Sequence, residues 1–357
     1  MGTVTAQVLV TADGQAAIPG VGVVRLLFIG GTSFIGRHAV ELAVDDGHEV
    51  TVFHRGRTNP GLLAGKIDHR LGDRDAGNYA SIDEGVWWDA VIDVCAYVPR
   101  HVHQLADVLG GRAGRYVQVS SVSAYDPAQA TVHEDSPLYE DPAAGIEDVS
   151  AFYGPLKAAC ERAAAARFGE VAVVRPAYVC GPYDPTDSFT YWVRRMAEGG
   201  EVVVPDASAP MQIIDVRDLG AFLVRCATTA AAGAFDGVGP FASTASMLAE
   251  ITPPGVTAHL VEIDAATLAA AGITLPMMDD DPNDAIISSR PGSRARAAGL
   301  TTRTAAETAD ATRRWDDERG RPLLTKGPTR EQEATLVRAL RQCPPQRFPT
   351  RPQATTS

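Results

Sequence analysis

Val24-Arg25-Leu26-Leu27-Phe28-Ile29-Gly30-Gly31-Thr32-Ser33-Phe34-Ile35-Gly36-Arg37-His38 reads as a short apolar strand running into a glycine turn, with a helix opening at Phe34 or just after. Strand, tight turn and helix N-terminus in that order form a phosphate cradle. Glycine lets the backbone approach the anion, while unpaired N–H groups and the helix dipole face it. The flanks supply the context the motif needs. Val40, Leu42 and Ala43 continue at helical spacing, and His48-Glu49-Val50-Thr51-Val52-Phe53 reads as a second strand.

Outward from this stretch, strand and helix alternate from Val24 to about Val179. Candidate strands are 24–29, 49–53, 67–71, 89–94, 115–120 and 171–175, and candidate helices are 35–46, around 78–84, 100–110 and 153–168. That alternation predicts an α/β fold, a doubly wound parallel (Rossmann) sheet over residues 23–181 with a smaller C-terminal α+β substrate lobe over 182–342. Residues 212–228 are expected to return to the first domain, residues 1–22 to form a flexible leader, and 343–357 a disordered tail. In the lobe, 188–199, 244–251, 264–271, 304–319 and 329–341 read as helices; 202–204, 212–216 and 236–241 read as extended.

Bulk composition narrows the function. The 357 residues are 45% hydrophobic and 21% charged, ordinary for a globular chain. A net charge of −12 argues against nucleic acid or an anionic membrane as partner, since both require a basic surface. Five scattered cysteines without C-x-x-C spacing, no secretory start and no long apolar run together predict a cytoplasmic protein with reduced thiols. Asp279-Asp280-Asp281-Pro282-Asn283-Asp284 lacks the spacing of a calcium loop and reads as a solvated turn, so no metal site is expected.

Tyr153-Gly154-Pro155-Leu156-Lys157 carries the chemistry. Tyr153 and Lys157, four apart, share one helical face, and an ammonium beside a phenol draws its pKa down from an ordinary value of about 10. Pro155 is comfortable only in a first turn, which predicts an irregular helix opening near 151–154. Upstream, Gln118-Val119-Ser120-Ser121-Val122-Ser123-Ala124-Tyr125 is a strand ending in hydroxyls able to bond a substrate carbonyl while Tyr153 moves the proton.

With these pieces together, the sequence resembles the extended branch of the short-chain dehydrogenase/reductase superfamily, the NAD-dependent epimerase/dehydratase group. The matching stretches are 30–36, 72–74, 120–125, 153–157, Arg175-Pro176-Ala177-Tyr178-Val179-Cys180-Gly181-Pro182 and Ile213-Ile214-Asp215-Val216-Arg217-Asp218-Leu219, in the family's order. The resemblance implies Tyr153 as acid/base, Lys157 as its activator and ribose ligand, and Ser121 as the catalytic hydroxyl. It further implies cofactor contacts from Gly30, Gly31, Thr32, Ser33, Phe34, Ile35 and Gly36, from Asp73 and Arg74 after the third strand, and from Cys95, Ala96 and Tyr97. Pro176, Tyr178 and Val179 would line the nicotinamide end. Helices 100–110 and 153–168 match those through which relatives dimerise, implying a homodimer.

The chain departs from the family's pattern in four places. Ser33 replaces the middle glycine, which calls for a less permissive or slightly altered turn. The second strand ends in His54, followed by Arg55, instead of an acidic residue, which predicts NADP(H) over NAD(H). Tyr178 and Met211 stand where nucleotide-sugar enzymes carry Asn and Arg, weakening the case for a diphosphate unless Arg194, Arg195 or Arg217 substitutes. Ser123, Tyr178, Phe189, Trp192 and Met211 are therefore the expected lining of a rather apolar substrate pocket. The expected activity is NADP-dependent interconversion of a carbonyl and an alcohol on a small metabolite. The alternatives are a nucleotide-sugar epimerase or dehydratase with tightly bound NAD(P), and a non-catalytic cofactor-binding relative.

Overall fold

The computed structural model describes residues 22–128, 133–278 and 288–342. Elements follow one another as β1 (Arg25–Ile29), α1 (Phe34–Asp45), β2 (Glu49–His54), β3 (Asp68–Leu71), β4 (Ala90–Asp93), α2 (Pro99–Leu109), β5 (Tyr116–Val119), α3 (Val149–Arg167) and β6 (Val171–Pro176). Then come β7 (Tyr178–Cys180), α4 (Ser188–Glu198), β8 (Gly200–Val204), β9 (Pro210–Met211), β10 (Ile213–Asp215), α5 (Val216–Thr228) and β11 (Gly233–Gly237).

The main sheet has seven strands in the order β11-β6-β5-β4-β1-β2-β3, all parallel. Strands buried on both faces need continuous apolar runs, and Leu26, Leu27, Phe28 and Ile29 are all fully buried. Chain order reverses on either side of β1, so a crevice opens at the carboxyl ends of β1 and β4, the usual place for a ligand in such a sheet.

The six expected strands are present, and the seventh, β11, is the difference. Gly-Ala-Phe-Asp-Gly has little intrinsic strand preference, and only its tail was read as extended. Tertiary packing decides it, through Phe235 edge-on to Phe222 of α5 with ring centroids 5.5 Å apart. α5 in turn packs on α1. The helix expected around 78–84 is only a 3-10 turn, Ala80–Ile82.

The remaining elements build a second core. β8 pairs in parallel with Ala258–Glu262, while β7 pairs with β10. Phe189, Trp192 and Met211, expected in the substrate pocket, are instead buried in this core with Met196, Met247 and Leu248. The reason is periodicity: Phe189, Trp192, Val193 and Met196 form the apolar stripe of α4, which faces the lobe interior, and the Trp192 indole donates to Pro276 O at 2.6 Å. Among the described residues no helix is long and apolar enough to cross a membrane. The leader, the tail and the acidic stretch from Asp279 lie outside the described residues.

Candidate active site

The glycine turn leaves β1 with Gly31 at φ +116° and enters α1 at Gly36, where a Cβ would lie 2.5 Å from the Gly31 Cα. Only glycine permits that closeness of turn and helix. Ser33 is extended (φ −142°) and caps α1 without a side-chain bond, so its replacement of glycine costs the backbone nothing. The left-handed conformation falls on Phe34 instead, at φ +41°. These residues line a cleft of about 360 Å³ with His54, Arg55, Arg57, Thr58, Arg74, Asp75, Cys95, Tyr97 and His101. Its glycine floor and exposed N–H groups fit a dinucleotide's phosphates.

His54 ends β2 in a determined tautomer chain. Its Nδ1 accepts from Gly56 N (3.0 Å), and its Nε2 lies 2.9 Å from His69 Nδ1. His69 Nε2 must then donate to Leu62 O at 3.0 Å, so both rings are bonded only when neutral. Burial, then the neighbouring His69, lowers the His54 pKa. Arg55 pairs with Asp75 at 3.2 Å and Arg57 with Asp73 at 3.8 Å. Asp73 accepts from Asp75 N and bridges to Asn78, so it closes a turn; it is Asp75 that lines the cleft at this point.

Arg74 lies beneath the cleft, its guanidinium forked onto Asp93 at 2.8 and 3.0 Å, with the Tyr116 hydroxyl donating to the same carboxylate. Desolvation opposes the Asp93 charge, but Arg74 outweighs it and holds the carboxyl below its usual range. His101, buried beside Arg74, is lowered to about 4 by burial first and that cation second. An unfolded imidazole takes its proton near 6.5, whereas the folded one refuses it until about 4. Stability is therefore complete above pH 6.5 and is lost by up to about 3 kcal/mol as pH falls through this window. Urea unfolding midpoints should drop between pH 7 and 4.5 in the native chain, and drop less in His101→Gln.

α3 carries Tyr153 and Lys157, two of the three residues of the expected Ser-Tyr-Lys set. Its opening is irregular, as Pro155 predicts, with Phe152 at φ −127°, ψ 33°, although the helix begins earlier, at Val149, capped by Asp148. From Tyr153 the backbone is helical, which keeps Tyr153 and Lys157 on one face. Gly154 brings that face against the hydroxyl turn: a Cβ there would lie 2.2 Å from the Ser123 carbonyl oxygen. Ser121 is buried, and its Oγ accepts from Ser123 N at 3.1 Å. Lys157 is 2% exposed and donates to Ala96 O (2.8 Å) and Val119 O (2.6 Å), leaving one ammonium hydrogen uncommitted. Tyr153 is 38% exposed. Tyr97, also half-exposed, holds its ring 5.4 Å from Lys157 Nζ, and burial with Cys95 and Tyr153 nearby pushes its phenol up to about 12.

A second cavity, about 460 Å³, lies beyond the cleft and is lined by Tyr178, Val179, Asp184, Thr186, Ser188 and residues of 272–277, 325–328 and 332. Of the expected substrate residues only Tyr178 lines it; its walls carry the hydroxyls of Tyr178, Thr186, Ser188, Thr274 and Thr325 among glycine, proline and apolar residues. Asp184 and Thr186 face this cavity while Pro185 faces the dinucleotide cleft, so one loop divides the two. Nothing in the sequence before 188 signals that wall, and the lining from 272–277 and 325–328 comes from loops with no periodicity to read.

Residues 89–236 match the family model described as the NAD dependent epimerase/dehydratase family. Over these residues the chain is similar to that family. It is also similar to the Arabidopsis thaliana protein "Chloroplast stem-loop binding protein of 41 kDa b", 27% identical over 218 residues, 56% of this chain and 54% of that protein. The chain thus matches about half the length of this curated relative. Among solved structures, the Bordetella bronchiseptica enzyme WbmG in complex with NAD superposes with a TM-score of 0.63 at 16% identity, over 87% of this chain and 100% of that one. A nucleoside-diphosphate-sugar epimerase from Pseudomonas aeruginosa gives 0.63 at 19%, over 84% and 99%. MoeE5 in complex with UDP-glucuronic acid and NAD gives 0.59 at 20%, over 83% and 99%. These likenesses establish the Rossmann-like fold.

Proposed function

We propose that this chain is a nicotinamide-dinucleotide-dependent enzyme of the extended short-chain dehydrogenase/reductase type, with Tyr153 as its acid/base. The observation that carries this reading is the juxtaposition of the Tyr153–Lys157 face with the Ser121–Ser123 turn, next to a glycine cradle. When bound, the dinucleotide supplies the acceptor or donor of a hydride. Tyr153 gives or takes the proton of the substrate oxygen, and Ser121 orients that oxygen by hydrogen bonding. Lys157, fixed by two carbonyls, would hold the ribose with its remaining ammonium hydrogen.

The same half-reaction serves a net carbonyl–alcohol interconversion or an epimerase that recycles its cofactor, and the family match supports the second reading equally. Co-purified nucleotide with no net change in the reduced-nicotinamide band during turnover identifies recycling; stoichiometric change identifies net redox. Stem-loop binding, for which the relative is named, is disfavoured by the charge of −12 and by arginines already paired with carboxylates.

Cofactor selection follows from the end of β2. β2 itself ends in no carboxylate, and the one that lines the cleft beside it, Asp75, is held by Arg55 in a solvent-exposed pair, hence weak and readily exchanged. NADP(H) should bind more tightly than NAD(H), and Arg55→Ala should remove about 1 kcal/mol of that preference. Dissociation constants for both cofactors check it; tighter NAD(H) binding rejects it.

A further inference from the structure

We infer that the 460 Å³ cavity behind the Tyr183–Asp187 loop binds a polyhydroxylated molecule bearing a single anionic group, received by Lys326. The inference rests on the proposed enzymatic reading only in treating this molecule as substrate.

The cations decide the charge. The chain has three lysines, Lys66, Lys157 and Lys326, and Lys157 is committed to backbone carbonyls. Lys326 lines the cavity, and among the described residues it makes no ion pair. The arginines that would take a diphosphate are engaged elsewhere. Arg194 forks onto Asp316 at 2.6 and 2.7 Å, Arg195 pairs with Glu333 at 2.6 Å with both side chains 2% exposed, and Arg217 holds Asp215. Releasing any of them would cost a buried carboxylate a charge partner, although Asp316 would keep Arg319 and Glu333 would keep Arg330. One free ammonium balances one anionic group, and a second would lie near Asp184 without a counter-charge.

The walls decide the rest of the ligand. Asp184 is 4% exposed and takes both the Thr186 N–H and its hydroxyl at 2.8 Å. Ser188 Oγ lies 2.9 Å from the same Thr186 oxygen, so hydroxyls run in a chain ending on a carboxylate. Thr274, Thr325 and Gln332 add further donors and acceptors. Such a surface is satisfied by a ligand that both donates and accepts at several positions, as a sugar or polyol does. A plain ketone or aldehyde would use few of these groups.

The test is calorimetric titration of the full chain with D-glucuronate, D-glucose 6-phosphate, D-glucose and UDP-glucose. At least one of the two anionic sugars should bind about tenfold or more tightly than glucose, the margin of one charge-assisted hydrogen bond; which one does so separates carboxylate from phosphate. Lys326→Ala should erase the margin and Lys326→Arg should restore most of it. UDP-glucose binding more tightly than both, a margin unchanged in Lys326→Ala, or no binding of either anionic sugar would each overturn the assignment. Turnover is not read, so the result stands apart from whether Tyr153 is the acid/base.

Discussion

Tyr153→Phe is expected to lower kcat by about 10²- to 10⁴-fold, the usual contribution of a positioned acid/base, while leaving dinucleotide affinity nearly unchanged. The phenol oxygen is the only group removed. Tyr153 is 38% exposed and does not line the dinucleotide cleft, so neither packing nor cofactor contacts depend on its hydroxyl. Thermal stability should therefore stay within the small range of surface substitutions, about 0.5 kcal/mol. Steady-state turnover, cofactor titration and a melting curve on the same preparation separate the effects. Full activity in the variant would move the acid/base role elsewhere. Tyr97 would not inherit it readily, because its phenol is held near 12 and stays protonated at neutral pH.

How much of this was legible in the sequence varies with the range of the forces involved. The glycine cradle and α1 were readable because turn, strand and helix signals are local and agree. Tyr153 and Lys157 were readable as a pair for the same reason, but their partner surface was not. What seats them is Gly154 against the Ser123 carbonyl, a contact across thirty residues with no periodic signature. Ser33 calls for a less permissive or slightly altered turn, and the turn is the altered one: Ser33 is extended and the left-handed residue is Phe34. Phe189, Trp192 and Met211 were assigned to substrate because aromatic and thioether side chains suit pockets and cores alike. Only the direction of the α4 stripe distinguishes the two, and that direction is set by the lobe as a whole. The seventh strand escaped notice because burial of Phe235, not strand propensity, makes it a strand.

Glu161→Ala should be the most destabilising single change near the site, by about 3–5 kcal/mol, the cost of leaving a buried cation unpaired. Tyr153, Lys157 and Glu161 continue one face of α3 at spacing four, and Glu161 is where that face is anchored. Its carboxylate accepts from the Ser120 hydroxyl and from Arg175 Nε at 2.9 Å and Nη2 at 2.5 Å, with both partners about 5% exposed. Arg175 also donates to the Tyr125 hydroxyl (2.7 Å) and to Glu134 O (2.9 Å), and Tyr125 donates to Asp236, which pairs with Arg290 at 2.8 Å. Truncating Glu161 thus strands Arg175 inside a network joining β5, α3, β6 and β11. At about 2–4 °C per kcal/mol for a chain of this class, Tm should fall by roughly 10 °C. Glu161→Gln keeps the shape and one acceptor oxygen for the guanidinium, so it should lose distinctly less. Equal losses in the two variants would mean that the carboxylate's charge carries none of the effect; no loss in either would mean that α3 is held by its apolar packing alone.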